Sequence, residues 1–148
     1  MDRETEADDI ITRVARPGDV AAMLACDAYA QSHASRGDAV RAAVGKGHCQ
    51  VAMRASQVAG YVLTHDDFFG YGFVPLVVVA PAQQRRGVGL RLLAAAANAC
   101  PTAKLFTSTN QSNVAAQRLF ASAGFVPSGR IEHLDEDDPE LVYVKFLR

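Results

Sequence analysis

The sequence predicts an α/β domain in which helices cover both faces of a mixed sheet, and three observations carry that prediction. Apolar runs of strand length recur at Ile10 to Val14, Cys49 to Arg54, Val58 to Thr64 and Phe73 to Val79. Ala- and Leu-rich stretches of helical length separate or follow them, the longest running from Gly87 to Cys100. Beyond Phe73 strand and helix alternate, so the expected order is β-α-α-β-β-β-α-β-α-β-β.

The totals fit one domain. A chain of 148 residues builds one core, and 49% hydrophobic with 21% charged residues is ordinary for a globular protein. The formal net charge is -1, without the basic patch of a nucleic-acid or membrane-surface binder, so neither partner is expected. Cys26, Cys49 and Cys100 are odd in number and lack zinc-site or redox spacing. They read as reduced, mostly buried thiols of a cytoplasmic protein, with no metal. Residues 1–9 read as a flexible polar tail rather than a signal peptide. No apolar stretch approaches the roughly 20 residues that span a bilayer.

Each element has its own signal. Ile10 to Val14 is a first strand, and Pro17-Gly18-Asp19 punctuates it, with Asp19 placed to cap a helix from Val20 to Ala30. A second helix covers Ser35 to Val44 and closes on Gly45 and Gly47. Cys49 to Arg54 and Val58 to Thr64 form a hairpin through Ala55-Ser56-Gln57. His65 to Gly72 reads as a loop. Phe73 to Val79 is nearly all apolar, as in a central strand buried on both faces, with Pro75 marking a bulge or strand start. Pro101 stops the next helix, Lys104 to Thr107 is a short strand, and Gly124 ends a helix from Asn113 to Ala123. Phe125 to Arg130 and Leu141 to Leu147 close the sheet around an acidic loop, Glu132 to Glu140.

The informative segment joins the central strand to the long helix: Val77-Val78-Val79-Ala80-Pro81-Ala82-Gln83-Gln84-Arg85-Arg86-Gly87-Val88-Gly89. The first N–H groups of a helix lack internal partners, and the helix dipole adds partial positive charge there. Gly87 and Gly89 allow a phosphate close to the backbone, and Arg85, Arg86 and Arg91 can add charged donors. The segment carries neither the Gly-Lys-Ser/Thr of a Walker A loop nor a full dinucleotide fingerprint. A plain helix start with solvated arginines is the competing reading.

Gln84-x-x-Gly87-x-Gly89 resembles the Gln/Arg-x-x-Gly-x-Gly/Ala signature of the GNAT acetyltransferases. Downstream, Asn113-x-x-Ala116-x-x-Leu119-Phe120-x-x-x-Gly124-Phe125 is similar to the second block of that family. The resemblance is sharp from Val74 to Phe125 and follows the element order elsewhere. It implies a mostly antiparallel sheet with one splayed parallel strand pair, the second strand being Leu105 to Ser108. It implies acetyl-CoA as cosubstrate, its pyrophosphate on Gln84, Arg85, Arg86, Gly87, Val88 and Gly89, and its pantetheine arm along Val77, Val78 and Val79. Asn113 and Phe120 are further coenzyme contacts on the same resemblance, although Asn113 also suits a helix cap. A backbone N–H in Val77 to Val79 would polarise the thioester carbonyl.

The chemistry is less legible. Acetyl transfer to an amine needs a neutral amine, a donor for the oxyanion and a leaving thiolate. The family often has a tyrosine acid at the place of Phe120 and a glutamate on the strand before the loop, and this chain has neither. His65, Glu132 and His133 are the candidates for proton transfer, each also readable as a solvated loop residue. The acidic loop suits attraction of a cationic amine. The expected activity is therefore direct acetyl transfer to a primary amine of a small molecule or peptide. A homodimer stays open on the resemblance. A non-catalytic acyl-CoA-binding or interaction module is the alternative.

Overall fold

The computed structural model describes residues 9–148, so the expected tail lies, apart from Asp9, outside the described residues. Among the described residues seven strands form a sheet in the order β1-β2-β3-β4-β5-β7-β6. They are β1 (Ile10–Val14), β2 (Cys49–Arg54), β3 (Gln57–Phe68), β4 (Tyr71–Val79), β5 (Lys104–Asn110), β6 (Val126–Ile131) and β7 (Glu140–Phe146). The helices are α1 (Val20–Ala25), α2 (Ala28–Ser32), α3 (Ala34–Gly45), α4 (Val88–Ala99) and α5 (Val114–Ser122). The sheet is mixed: β4 and β5 run parallel, whereas β1–β2, β2–β3, β5–β7 and β6–β7 are antiparallel. The chain forms two compact units, the first ending at Thr64 and resuming over Leu76–Ala96, the second made of His65–Pro75 and Ala97–Arg148.

In the first unit the β2–β3 turn places Ala55 and Ser56 at φ 52° and 63°. Two successive left-handed residues match the right-handed twist of the flanking strands, which makes the turn tight. Strand alternation then sorts the faces. Cys49 and Val51 of β2 join Met23, Val40, Val44 and Tyr61 in one buried cluster, so α1 and α3 cover that face. Gln50 points the other way and donates from Nε2 to the Ala95 carbonyl of α4 at 3.1 Å.

The helix expected from Val20 to Ala30 is broken. Asp27 is extended (φ −121°, ψ 106°), and its carboxylate accepts the Tyr29 N–H at 3.1 Å to start α2. Asp27 is buried because it is satisfied: Arg36 forms an ion pair with it and the Tyr61 hydroxyl donates to it at 3.4 Å. Burial, with the negative Asp27 alongside, pushes the Tyr61 phenol up to about 12. Asp19 does not cap α1 with its side chain. It accepts the Arg16 N–H at 2.8 Å and a two-pronged contact from Arg13 of β1 at 2.7 and 2.9 Å. Hydrogen bonding from Arg13 holds the Asp19 carboxyl down at about 2.

Gly60 of β3 decides how closely β4 approaches. A Cβ there would lie 2.4 Å from the Val78 carbonyl oxygen and 3.2 Å from Leu92 of α4. The Ala80 N–H donates to the Ala59 carbonyl at 2.8 Å, so the end of β4 is held against β3. Leu76 and Val78 pack against the buried cluster.

The second unit corrects the expected loop from His65 to Gly72. β3 continues to Phe68, Phe69 and Gly70 turn at φ 52° and 82°, and β4 starts at Tyr71. Aromatic pairing makes this extension favourable: Phe68 lies 4.7 Å from Phe73 and 5.1 Å from Phe106, ring centre to ring centre. β5 is also longer than expected, with seven pairs to β7 from Lys104↔Phe146 to Asn110↔Glu140. The parallel β4–β5 ladder covers Gly72↔Leu105, Phe73↔Phe106 and Val74↔Thr107. Pro75 follows and supplies no N–H, while the buried Thr107 hydroxyl donates to the Val74 carbonyl at 2.9 Å. β4 is not buried on both faces: Val74 is buried, Pro75 exposed and Leu76 to Val79 half-buried. Gly124, at φ 91°, follows α5 as expected.

Cys26, Cys49 and Cys100 carry no disulfide, and burial pushes the Cys49 thiol up to about 12. Among the described residues no helix is long and apolar enough to cross a membrane. Gly60→Ala is expected to cost about 2 kcal/mol by overpacking against the Val78 carbonyl. Urea unfolding of the variant beside the wild type measures it, and equal midpoints would show that β4 moves aside freely.

Candidate active site

The strand, turn and helix predicted around Gln84 are present. After Val79, Pro81–Gln83 make a 3-10 turn and α4 starts at Val88. Arg85 and Gly87 are left-handed, at φ 64° and 83°, with Arg86 between them. Alternating handedness on consecutive residues turns successive N–H groups toward one side, the arrangement of an anion nest. Gln84, Arg85, Arg86 and Gly87 are exposed, while Val88 and Gly89 are buried. A Cβ on Gly87 would have no atom within 4 Å, so the approach to the backbone is open on that side. Arg54 anchors the loop by donating to Gln83 Oε1 at 3.0 Å. Arg91 uses its Nη2 on the Ile10 carbonyl at 2.6 Å, which commits that donor to β1 rather than to an anion.

In β4, alternation sends Leu76 and Val78 to the core and Val77 and Val79 to the opposite face. In the second unit, Asn113 caps α5 by accepting the Ala116 N–H at 3.1 Å. Phe120 is only 3% exposed and packs edge-on to Tyr143, ring centres 5.5 Å apart. The helix cap expected of Asn113 is thus made, and Phe120 serves the α5 core.

The three proton-transfer candidates divide. His65 sits in β3 against the Asp67 carboxylate and stacks on Phe73 at 5.4 Å. Glu132 and His133 come together in a cavity of about 510 Å³ lined also by Arg130, Asp135, Glu136 and Asp137, and His65 is not part of its lining. Glu132 is exposed and paired with Arg130 at 2.6 Å, and His133 is left-handed at φ 71°. Two of the acids hold the loop in place. Asp135 accepts from Asn110 Nδ2 at 2.7 Å, and Asp138 accepts from the Ser112 hydroxyl at 2.6 Å and its N–H at 3.0 Å. Among the described residues Glu136 and Asp137 have no such partner.

One pair escaped the sequence reading. The Ser108 hydroxyl of β5 donates to Glu140 Oε2 of β7 at 2.6 Å. The residues are 32 apart in sequence, and only the β5–β7 register brings them together.

A mixed sheet with one parallel pair, and a nest-like loop leading from the middle strand into a helix, is the architecture of acyl-CoA acetyltransferases. The family model for the acetyltransferase (GNAT) family matches residues 19–125. The chain belongs to that family. A GNAT-family acetyltransferase from Bacillus cereus is similar in structure, with a TM-score of 0.89 and 31% identity over 95% of this chain and 99% of its own. YncA of Salmonella typhimurium, solved with its cofactor acetyl-CoA, has a TM-score of 0.74 and 22% identity, covering 94% of each chain. Ard1 from Thermoplasma volcanium has a TM-score of 0.80 and 16% identity over 94% of this chain and 98% of its own. No curated protein sequence matches.

Gly87→Ala tests the loop geometry. The new methyl meets nothing, so the expected loss of about 1 kcal/mol comes from the positive φ alone. Thermal unfolding measures it, and an unchanged Tm would mean that the loop adopts another conformation at little cost.

Proposed function

We propose that this protein is an N-acetyltransferase that moves an acetyl group from acetyl-CoA directly to a primary amine in a ternary complex. The observation that carries this reading is the loop itself. Arg85 and Gly87 in left-handed conformations present exposed backbone to solvent at the start of a twelve-residue helix. Such a concavity with a helix N-terminus suits the two negative phosphates of a coenzyme. Gln84 to Gly89 hold the pyrophosphate on this reading, and the backbone of Val77 to Val79 aligns the pantetheine arm. An N–H of that strand would donate to the oxyanion as the amine nitrogen attacks the thioester carbon. The carbon–sulfur bond then breaks, and a thiolate whose pKa lies near 8.5 leaves without a strong acid. That suits a site where phenylalanine stands in the tyrosine position. The cytoplasm is the compartment that fits three unpaired thiols.

Phe120, together with the lack of a carboxylate on β4, favours a second reading, a module that binds acyl-CoA without catalysis. Binding without turnover across a panel of primary amines would select it.

Calorimetric titration with acetyl-CoA tests the main reading. Wild-type protein is expected to bind, and Gly89→Glu, which puts a carboxylate at the helix start, is expected to weaken binding at least about tenfold. Circular dichroism of the variant checks its fold. No binding by the wild type would overturn the proposal.

The acidic cavity is proposed to attract a cationic acceptor. Glu136→Gln with Asp137→Asn, which spares the acids that hold the loop, is expected to raise KM for a cationic amine several-fold at low salt with little change in kcat. Equal KM values at low salt would remove the cavity from substrate capture.

A further inference from the structure

We propose that Glu140 is the base that takes the proton from the acceptor amine, with Ser108 as its positioning residue; this rests on the acetyl-transfer reading above. Neither His65 nor the Glu132–His133 pair has the surroundings of a prepared base. The His65–Asp67 pair lies at the surface, its carboxylate in solvent, and Glu132 is tied to Arg130 in solvent. Glu140 differs in three ways. It is half-buried at the first position of β7, and among the described residues no cation pairs with it. One oxygen, Oε2, is fixed by the Ser108 hydroxyl at 2.6 Å, which leaves Oε1 to accept a proton.

The register supplies the third reason. Thr107 is the last β5 residue paired with β4, and Ser108 is the next. The parallel ladder therefore ends one residue before the hydroxyl that orients the carboxylate. Alternation puts Ser108 on the same strand face as Phe106, and cross-strand pairing puts Glu140 on the face of Asn110, which is again that face. Tyr143, paired with Thr107, lies on the opposite face with Phe120 of α5. The carboxylate thus shares its face with Phe68, Phe73 and Phe106, half-buried aromatic rings that suit the carbon skeleton of an amine.

The proton balance is simple. The ammonium form of the acceptor gives one proton to Glu140 Oε1, leaving the nitrogen lone pair free. The amine nitrogen forms the new bond to the acetyl carbon as the carbon–sulfur bond breaks. The coenzyme leaves as thiolate, and the second proton lost from nitrogen passes to it or to water. Glu140 returns its proton to solvent.

The test is steady-state acetylation of a primary amine by the full chain, with Glu140→Gln and Glu140→Ala. Glu140→Gln keeps an acceptor for Ser108 and is expected to lower kcat by about 100-fold or more, the usual worth of a positioned base. Acetyl-CoA affinity by calorimetry should stay unchanged. Added formate, which returns a carboxylate to the vacated space, should restore part of kcat in Glu140→Ala and not in Glu140→Gln. Ser108→Ala should lower kcat by a smaller factor and leave acetyl-CoA affinity alone. If Glu140→Gln keeps wild-type kcat, or formate restores nothing to Glu140→Ala, the assignment to Glu140 is overturned while acetyl transfer stands. Wild-type protein that fails to bind acetyl-CoA overturns the reading on which both depend.

Discussion

The position of the β4 backbone is the constraint on which the candidate site depends. Near its end, Val78 presents its carbonyl where a side chain on residue 60 would stand, and only a glycine in β3 admits that approach. Earlier in the strand, the Val74 carbonyl takes the Thr107 hydroxyl, and Pro75 withholds the next N–H. A missing side chain thus sets how closely β3 meets the end of β4, and the β4–β5 ladder stops at Val74, just before a residue without an amide N–H.

Electrostatics divide the same way between structure and chemistry. The buried charge of Asp27 and the half-buried charge of Asp19 are answered inside the protein. Asp27 has Arg36 and Tyr61, and Asp19 has Arg13 and the Arg16 amide. An unpaired charge at the buried Asp27 would cost several kcal/mol, so its partners fix the α1–α2 break, and the Arg13–Asp19 contact fixes the entry to α1. Asp135 and Asp138 are answered as well, by Asn110 and Ser112, which pins the acidic loop to the end of β5. Glu140 accepts from a neutral hydroxyl alone among the described residues. Asp19, Asp27, Asp135 and Asp138 hold turns and loops through these partners, and Glu140, held by Ser108 on the strand next to the parallel pair, is the carboxylate to which proton transfer is assigned.

The family's usual tyrosine and glutamate are both missing, yet the chemistry loses little on physical grounds. A thiolate is already a competent leaving group near neutral pH, so a strong acid is dispensable. A base is harder to dispense with, because a primary amine is mostly protonated at that pH. On the proposed reading that need falls on a carboxylate, and β7 begins with Glu140 where β4 carries none.

Local signals in the sequence determined much of this. β-Branched runs gave the strands, glycines at positive φ marked the ends at Gly47 and Gly124, and Gln84-x-x-Gly87-x-Gly89 located the loop. Asn113 was legible as a cap because capping is decided by neighbours within four residues. What escaped was set at long range. The α1–α2 break depends on Asp27 finding Arg36 and Tyr61. The extension of β3 through His65 to Phe68 depends on rings from β4 and β5. The half-burial of Leu76 to Val79 follows from packing that an apolar string cannot express. The Ser108–Glu140 pair exists only through the β5–β7 register, which no local pattern encodes. Chain-local geometry was thus fixed by residue identity, and partner choice by the tertiary structure, because only folding decides which distant groups share a face.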